Sequence, residues 1–168
     1  MTESAAAHVA RKNAVSFLES TTPARYDSPE ADRVGQRRQR DQHYSACADL
    51  AHAMYEALGL RSSHVNRAPS WRSGLNVSLL STWPGVALPE VDWTAVDGGD
   101  VLIRWSFANG TDAHVVCVMS PVIDGKINTA EYGQARPTIG RQFSRAVSGE
   151  GRPWQRWLPL PLVLEACQ

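Results

Sequence analysis

The sequence predicts an α+β fold, a cysteine-bearing helix packed on an antiparallel meander, and three observations carry that expectation. Residues 45–59 (SACADLAHAMYEALG) repeat apolar side chains at helical spacing. Residues 101–105, 114–119 and 126–132 are rich in β-branched and apolar side chains, as strands are. The turn pairs Asn109-Gly110 and Asp124-Gly125 separate these runs at hairpin distance.

A chain of 168 residues is long enough to bury one core without staples, and a single domain over 1–168 is expected. Within it, 1–42 reads as an N-terminal helix and polar loop, 43–134 as the core, and 135–168 as a C-terminal extension packing on the core. Hydrophobic residues make up 43% and charged residues 20%, a balance that argues against wholesale disorder. Seventeen basic and seventeen acidic side chains cancel, which removes any global electrostatic case for nucleic acid or an anionic membrane as partner. The N-terminus lacks a basic region followed by an apolar core. The protein is therefore expected to be made in the cytoplasm without a signal peptide and to reach any other site, such as the cell wall or periplasm, through another system.

Taken in order, residues 5–18 form a helix with Val9, Ala10, Ala14, Phe17 and Leu18 on one side, ending before Thr21-Thr22-Pro23. Residues 26–42 are polar. Their arginines, Arg33, Arg37, Arg38 and Arg40, are read as facing water or pairing with Glu30, Asp32 and Asp41, because no aromatic side chain interleaves them as in a nucleic-acid arm. In the central helix Ser45 is the expected cap, Gly59 the expected stop, and Cys47 lies in the first turn. The irregular stretch 61–97 holds Trp71, Trp83 and Trp93 and a short candidate strand over 75–80, and reads as a packed loop or the wall of a cleft. Near the C-terminus, the prolines of 157–164 (WLPLPLVL) confine an apolar run to a sheet edge or an extended segment.

The chemistry-bearing residues follow from this layout. Unpaired backbone N–H groups and the positive helix end favour a thiolate at Cys47, which is how a cysteine becomes a nucleophile; a small buried hydrophobe is the competing reading. A nucleophilic thiol needs a base, and the base needs a polar group that fixes its orientation. His114 opens the second strand at the sheet rim. Glu131 lies on the strand paired with it through the Asp124-Gly125 hairpin, so a suitable register would let Glu131 orient His114 and His114 act on Cys47. The other candidates read as structural: His43 and His64 as loop residues, His52 as helix interior, Cys117 as core on the strand face opposite His114, and Cys167 as near the terminus. Three scattered cysteines without a CxxC pair indicate neither a disulfide framework nor a zinc site, and no metal or cofactor is expected.

The order of these pieces carries a resemblance. A cysteine heading a helix, then Gly99-Asp100-Val101-Leu102, then His114-Val115-Val116-Cys117-Val118, then a turn and Asn128-Thr129-Ala130-Glu131-Tyr132-Gly133-Gln134 resembles the NlpC/P60 and CHAP group of papain-like cysteine peptidases and amidases. The likeness covers residues 44–134. It departs at Ala46, where the group usually has Asp or Asn, and in the long insertion 61–97. The resemblance implies Cys47, His114 and Glu131 as the catalytic residues. It sets Gln134 where CHAP members carry an Asn, and with Tyr44 and Trp71 it forms a set of candidate substrate or oxyanion contacts. The implied substrate is an amide in peptidoglycan, cleaved as an endopeptidase or amidase by a lysin or a secreted antibacterial effector. A secretion apparatus or an immunity protein would then be its partner. A deamidase or acyltransferase toxin on the same fold, and an inactive binding module, are the alternatives.

Overall fold

The computed structural model describes residues 2–41, 44, 47–60, 89–104, 114–133, 136–147, 154 and 156–166. Among these residues the protein is α+β, with four helices and a five-stranded sheet whose pairings are all antiparallel. The helices are α1 (Ala5–Thr21), α2 (Pro29–Asp41), α3 (Ala48–Ala57) and α4 (Leu160–Ala166). The strands are β1 (Val101–Arg104), β2 (His114–Val118), β3 (Lys126–Gly133), β4 (Thr138–Ala146) and β5 (Arg156–Leu158), in the spatial order β4-β3-β2-β1-β5.

Each helix end has a chemical cause. Ser4 Oγ accepts the Ala7 amide at 3.1 Å and opens α1. At the far end the hydroxyls of Ser20, Thr21 and Thr22 bond back to the carbonyls of Phe17 and Leu18, which carries the helix past the expected end at residue 18. Helix α3 ends with Gly59 in the left-handed region (φ 71°), its amide on Glu56 O and that of Leu60 on Tyr55 O, the paired bonds of a Schellman stop.

Alternation along the strands divides the core. Val101, Ile103, Val115 and Cys117 face α1, α3 and α4, whereas Leu102, Val116, Val118 and Ile127 pack with Trp154 and Trp157 on the opposite face. Because both faces are covered, Val101, Leu102 and Ile103 are all fully buried, which is why this run is continuously apolar instead of alternating. The Asp124-Gly125 turn forms as expected. Both residues have positive φ (53° and 71°), and Ile123 and Lys126 exchange their backbone hydrogen bonds.

The sheet extends beyond the three-strand meander, since β4 pairs along most of β3 and β5 takes the expected edge position beside β1. One expectation for the C-terminal run needs correction. The apolar run 157–164 is an edge strand only as far as Leu158. From Leu160 it is helical, and Pro161 is accommodated in the first turn, where a missing N–H costs no intrahelical bond.

A buried ion pair fastens these layers. Asp100 is fully buried, accepts from Arg11 of α1 (2.6 Å), from the Trp157 indole N–H (2.9 Å) and from the Leu160 amide (2.8 Å), and so links α1, β5 and α4. Gly99 beside it has φ 89°, and a side chain there would meet Leu160 and Ala14.

Candidate functional site

Cys47 sits at the N-cap of α3, one position before the first helical residue, with helical backbone angles (φ −58°, ψ −26°) and no side-chain capping bond. The expected cap Ser45 lies outside the described residues. Helix α3 packs on β2 and β3 and so presents its N-terminal end to the sheet. Cys47 is 5% exposed.

Opposite it, the sheet supplies the other two side chains. Val118 pairs with Thr129 and Cys117 with Ala130; continuing that register sets Val116 against Glu131 and His114 against Gly133. His114 and Glu131 are then diagonal neighbours on one face, within reach of long side chains. His114 Nε2 and Glu131 Oε2 are hydrogen-bonded, and the His114 ring also hydrogen-bonds Cys47. Cys47, His114 and Glu131, from three different elements, are therefore joined in one chain of polar contacts.

The electrostatics follow from this chain. Burial alone would push the His114 pKa down, but hydrogen bonds to Cys47 and Glu131 and the charges they carry outweigh it and raise it to about 9. The ring is an imidazolium at neutral pH. Burial would raise the Glu131 pKa; the His114 contact, Arg145 and Gln142 prevail and hold it below the ordinary carboxylate value.

Glu131 has partners that the sequence reading did not single out. Its Oε1 accepts from Arg145 Nη1 (2.9 Å) and from Gln142 Nε2 (2.5 Å), both on β4. Residues three apart on a regular strand face opposite ways. Here two steps along β3, from Ile127 to Thr129, are matched by three along β4, from Arg145 to Gln142, so a bulge restores both side chains to the Glu131 face. Ser144 forms it with φ 54°, its amide held by Asn128 Oδ1 at 2.9 Å. Trp154 covers the same face, its ring 4.6 Å from the Arg104 guanidinium carbon, 5.2 Å from that of Arg145 and 6.4 Å from the His114 ring centre.

Tyr26 forms another wall. A side chain at Gly133 would overlap its hydroxyl, and one at Gly140 would come 2.6 Å from its Cα. Tyr26 thus lies over two glycines on the Glu131 face, and burial, then the Glu131 charge, raises its pKa. Beyond Gln142 a cavity of about 430 Å³ opens, lined by Arg25, Tyr26, Asp27, Arg141, Gln142 and Phe143.

The remaining candidates divide. Tyr44 is buried in the helix-side core, with its ring edge-on to Tyr132 at 5.5 Å and its carbonyl accepting from the Tyr132 hydroxyl; burial pushes its pKa up to about 12, so it is a protonated donor. Gln134, Trp71, His43, His64 and Cys167 lie outside the described residues, as does the candidate strand 75–80. Cys117 is buried in the core, with its thiol pKa pushed far up by burial. His52 is buried within α3, and burial lowers its pKa to about 4. Trp93 packs, half-buried, against the second core cluster. Among the described residues, no group of three His, Cys, Asp or Glu side chains is arranged to hold a metal ion, and no helix is long and apolar enough to cross a membrane.

Comparison with protein-family models, curated proteins and solved structures gave no match.

Proposed function

We propose that the protein is a papain-like cysteine hydrolase that cleaves an amide bond by acyl transfer, with Cys47 as nucleophile, His114 as general acid and base, and Glu131 as the group that orients His114. The single observation that carries this reading is the hydrogen-bonded chain Cys47–His114–Glu131 with the cysteine at a helix N-terminus. The same residues in the same order underlie the sequence resemblance to the NlpC/P60 and CHAP group, and that resemblance directs the substrate to a peptidoglycan amide.

With Nε2 engaged by Glu131, the ring has Nδ1 for the cysteine sulfur. The attacking species in this scheme is the Cys47 thiolate. The thiolate attacks the carbonyl carbon, the C=O π pair moves to oxygen, and the first-turn N–H groups of α3 lie at the helix end where an oxyanion is stabilised. As the C–N bond breaks, His114 gives its proton to the departing amine and becomes neutral. It then takes a proton from water as the hydroxyl attacks the thioester, and the thiolate leaves with the acid released, restoring the starting pair.

Digestion of purified peptidoglycan by the wild type and by Cys47→Ala, with released fragments identified by mass spectrometry, tests the reading. Fragments from the wild type alone support it and identify the bond. No fragments from either protein contradict the assigned substrate. Release of ammonia from a protein glutamine would then favour the deamidase alternative.

A further inference from the structure

We propose that Arg145 is a positioning residue of this site: by holding Glu131 Oε1 it fixes and neutralises the carboxylate, so that Oε2 aims the His114 ring without locking the proton on it. The inference rests on the reading of His114 as the acid that must release its proton.

The two carboxylate oxygens are divided. Oε2 meets His114, while Oε1 takes Arg145 Nη1 at 2.9 Å and Gln142 Nε2 at 2.5 Å. Both charged side chains are nearly inaccessible, Arg145 at 8% and Glu131 at 4%, so water screens their attraction little. The approach of Arg145 is built in twice. The bulge at Ser144, anchored by Asn128, turns it to the Glu131 face, and the Trp154 ring stacks on its guanidinium. A lone buried carboxylate beside His114 would stabilise the imidazolium and oppose proton transfer to the leaving amine. A carboxylate already paired with Arg145 orients the ring while stabilising the imidazolium less than a lone carboxylate would. The charged and titratable groups around the pair are Cys47 at the head of α3, Arg104 opposite His114 on β1, Cys117 on β2, and Tyr26 from the segment before α2.

The test is the NMR titration of the His114 imidazole in the wild type, Arg145→Gln, Glu131→Gln and the double variant, together with alkylation of Cys47 by iodoacetamide across pH. Arg145→Gln should raise the His114 midpoint by about one pH unit or more, Glu131→Gln should lower it, and the double variant should fall between Glu131→Gln and the wild type. An Arg145 that only fastens the sheet would leave the His114 midpoint of Arg145→Gln unchanged, which would overturn the proposal. Should Arg145→Gln alone not fold, the double variant decides, because it buries no lone charge: titration indistinguishable from Glu131→Gln rejects the proposal. Failure of the underlying reading is distinct. It would show as wild-type Cys47 alkylation that His114→Gln leaves unchanged.

Discussion

Asp100, just before β1, and Glu131, on β3, are both buried and both paired with an arginine, at 2.6 and 2.9 Å. Their other partners differ. Asp100 is closed off by an indole N–H and a backbone amide, groups that do not titrate, and burial leaves its pKa raised. Glu131 spends one oxygen on Arg145 and Gln142 and gives the other to a histidine that also touches a cysteine, and its partners pull its pKa down against burial. A buried carboxylate among fixed donors is a tether between α1, β5 and α4. One that shares its charge with an ionisable ring bonded to a thiol is part of a proton path.

The largest expected effect separates the two directly. His114→Ala should lower hydrolysis by about 10³-fold with little loss of fold, since it removes the acid and base together. Asp100→Asn should leave turnover per folded molecule unchanged. Denaturant titration should instead show it to be destabilised by about 3 kcal/mol, because Arg11 keeps a buried charge with a weaker partner. Either variant having the other's effect would break the contrast.

Next in size is the steric slot over the Glu131 face. Gly140→Ala would drive a methyl into the Tyr26 backbone and should cost about 2 kcal/mol in chemical denaturation, with alkylation of Cys47 also altered. Gly99→Ala, forced to positive φ beside Asp100, should cost about 1–3 kcal/mol and leave the alkylation rate unchanged.

The smallest expected effects are pH slopes. His114 has a folded pKa of about 9, above its unfolded value near 6.5; its contribution is complete below the unfolded value and is lost as pH rises through about 9. Glu131, depressed when folded, acts in the opposite direction: its contribution is present above its unfolded value and is lost as pH falls through the folded one. His52 adds to the acid side, because its folded pKa of about 4 lets the unfolded chain bind the extra proton between pH 6.5 and 4. Urea unfolding of His114→Gln should lose the alkaline slope, weaken the Glu131 part of the acid slope and keep the part that His52 supplies.

The helix heading from Cys47, the strands from Val101, His114 and Lys126, and the Asp124-Gly125 turn were legible because each is written in local spacing. That His114 and Glu131 stand on adjoining strands was legible from the hairpin; the register that lets their side chains meet was not. The polar strand β4 was not, since TIGRQFSRA shows no apolar alternation. Nor was the convergence of Gln142 and Arg145, because the bulge at Ser144 reverses the parity that sequence spacing implies. Tyr26 and Trp154 reach the site through packing between segments distant in sequence, which local patterns do not encode. The Gly133 and Gly140 pair was the available signal for Tyr26, though glycines in a strand also mark bulges and turns.

The most direct test of the Cys47–His114–Glu131 account is the rate of Cys47 alkylation by iodoacetamide between pH 4 and 10, with the modified residue located by peptide mass spectrometry. Rapid modification below neutrality that His114→Gln abolishes is the predicted result. Modification of Cys47 only above its ordinary thiol range, with the same profile in His114→Gln, would contradict it and leave Cys47 as a small buried side chain at the head of α3.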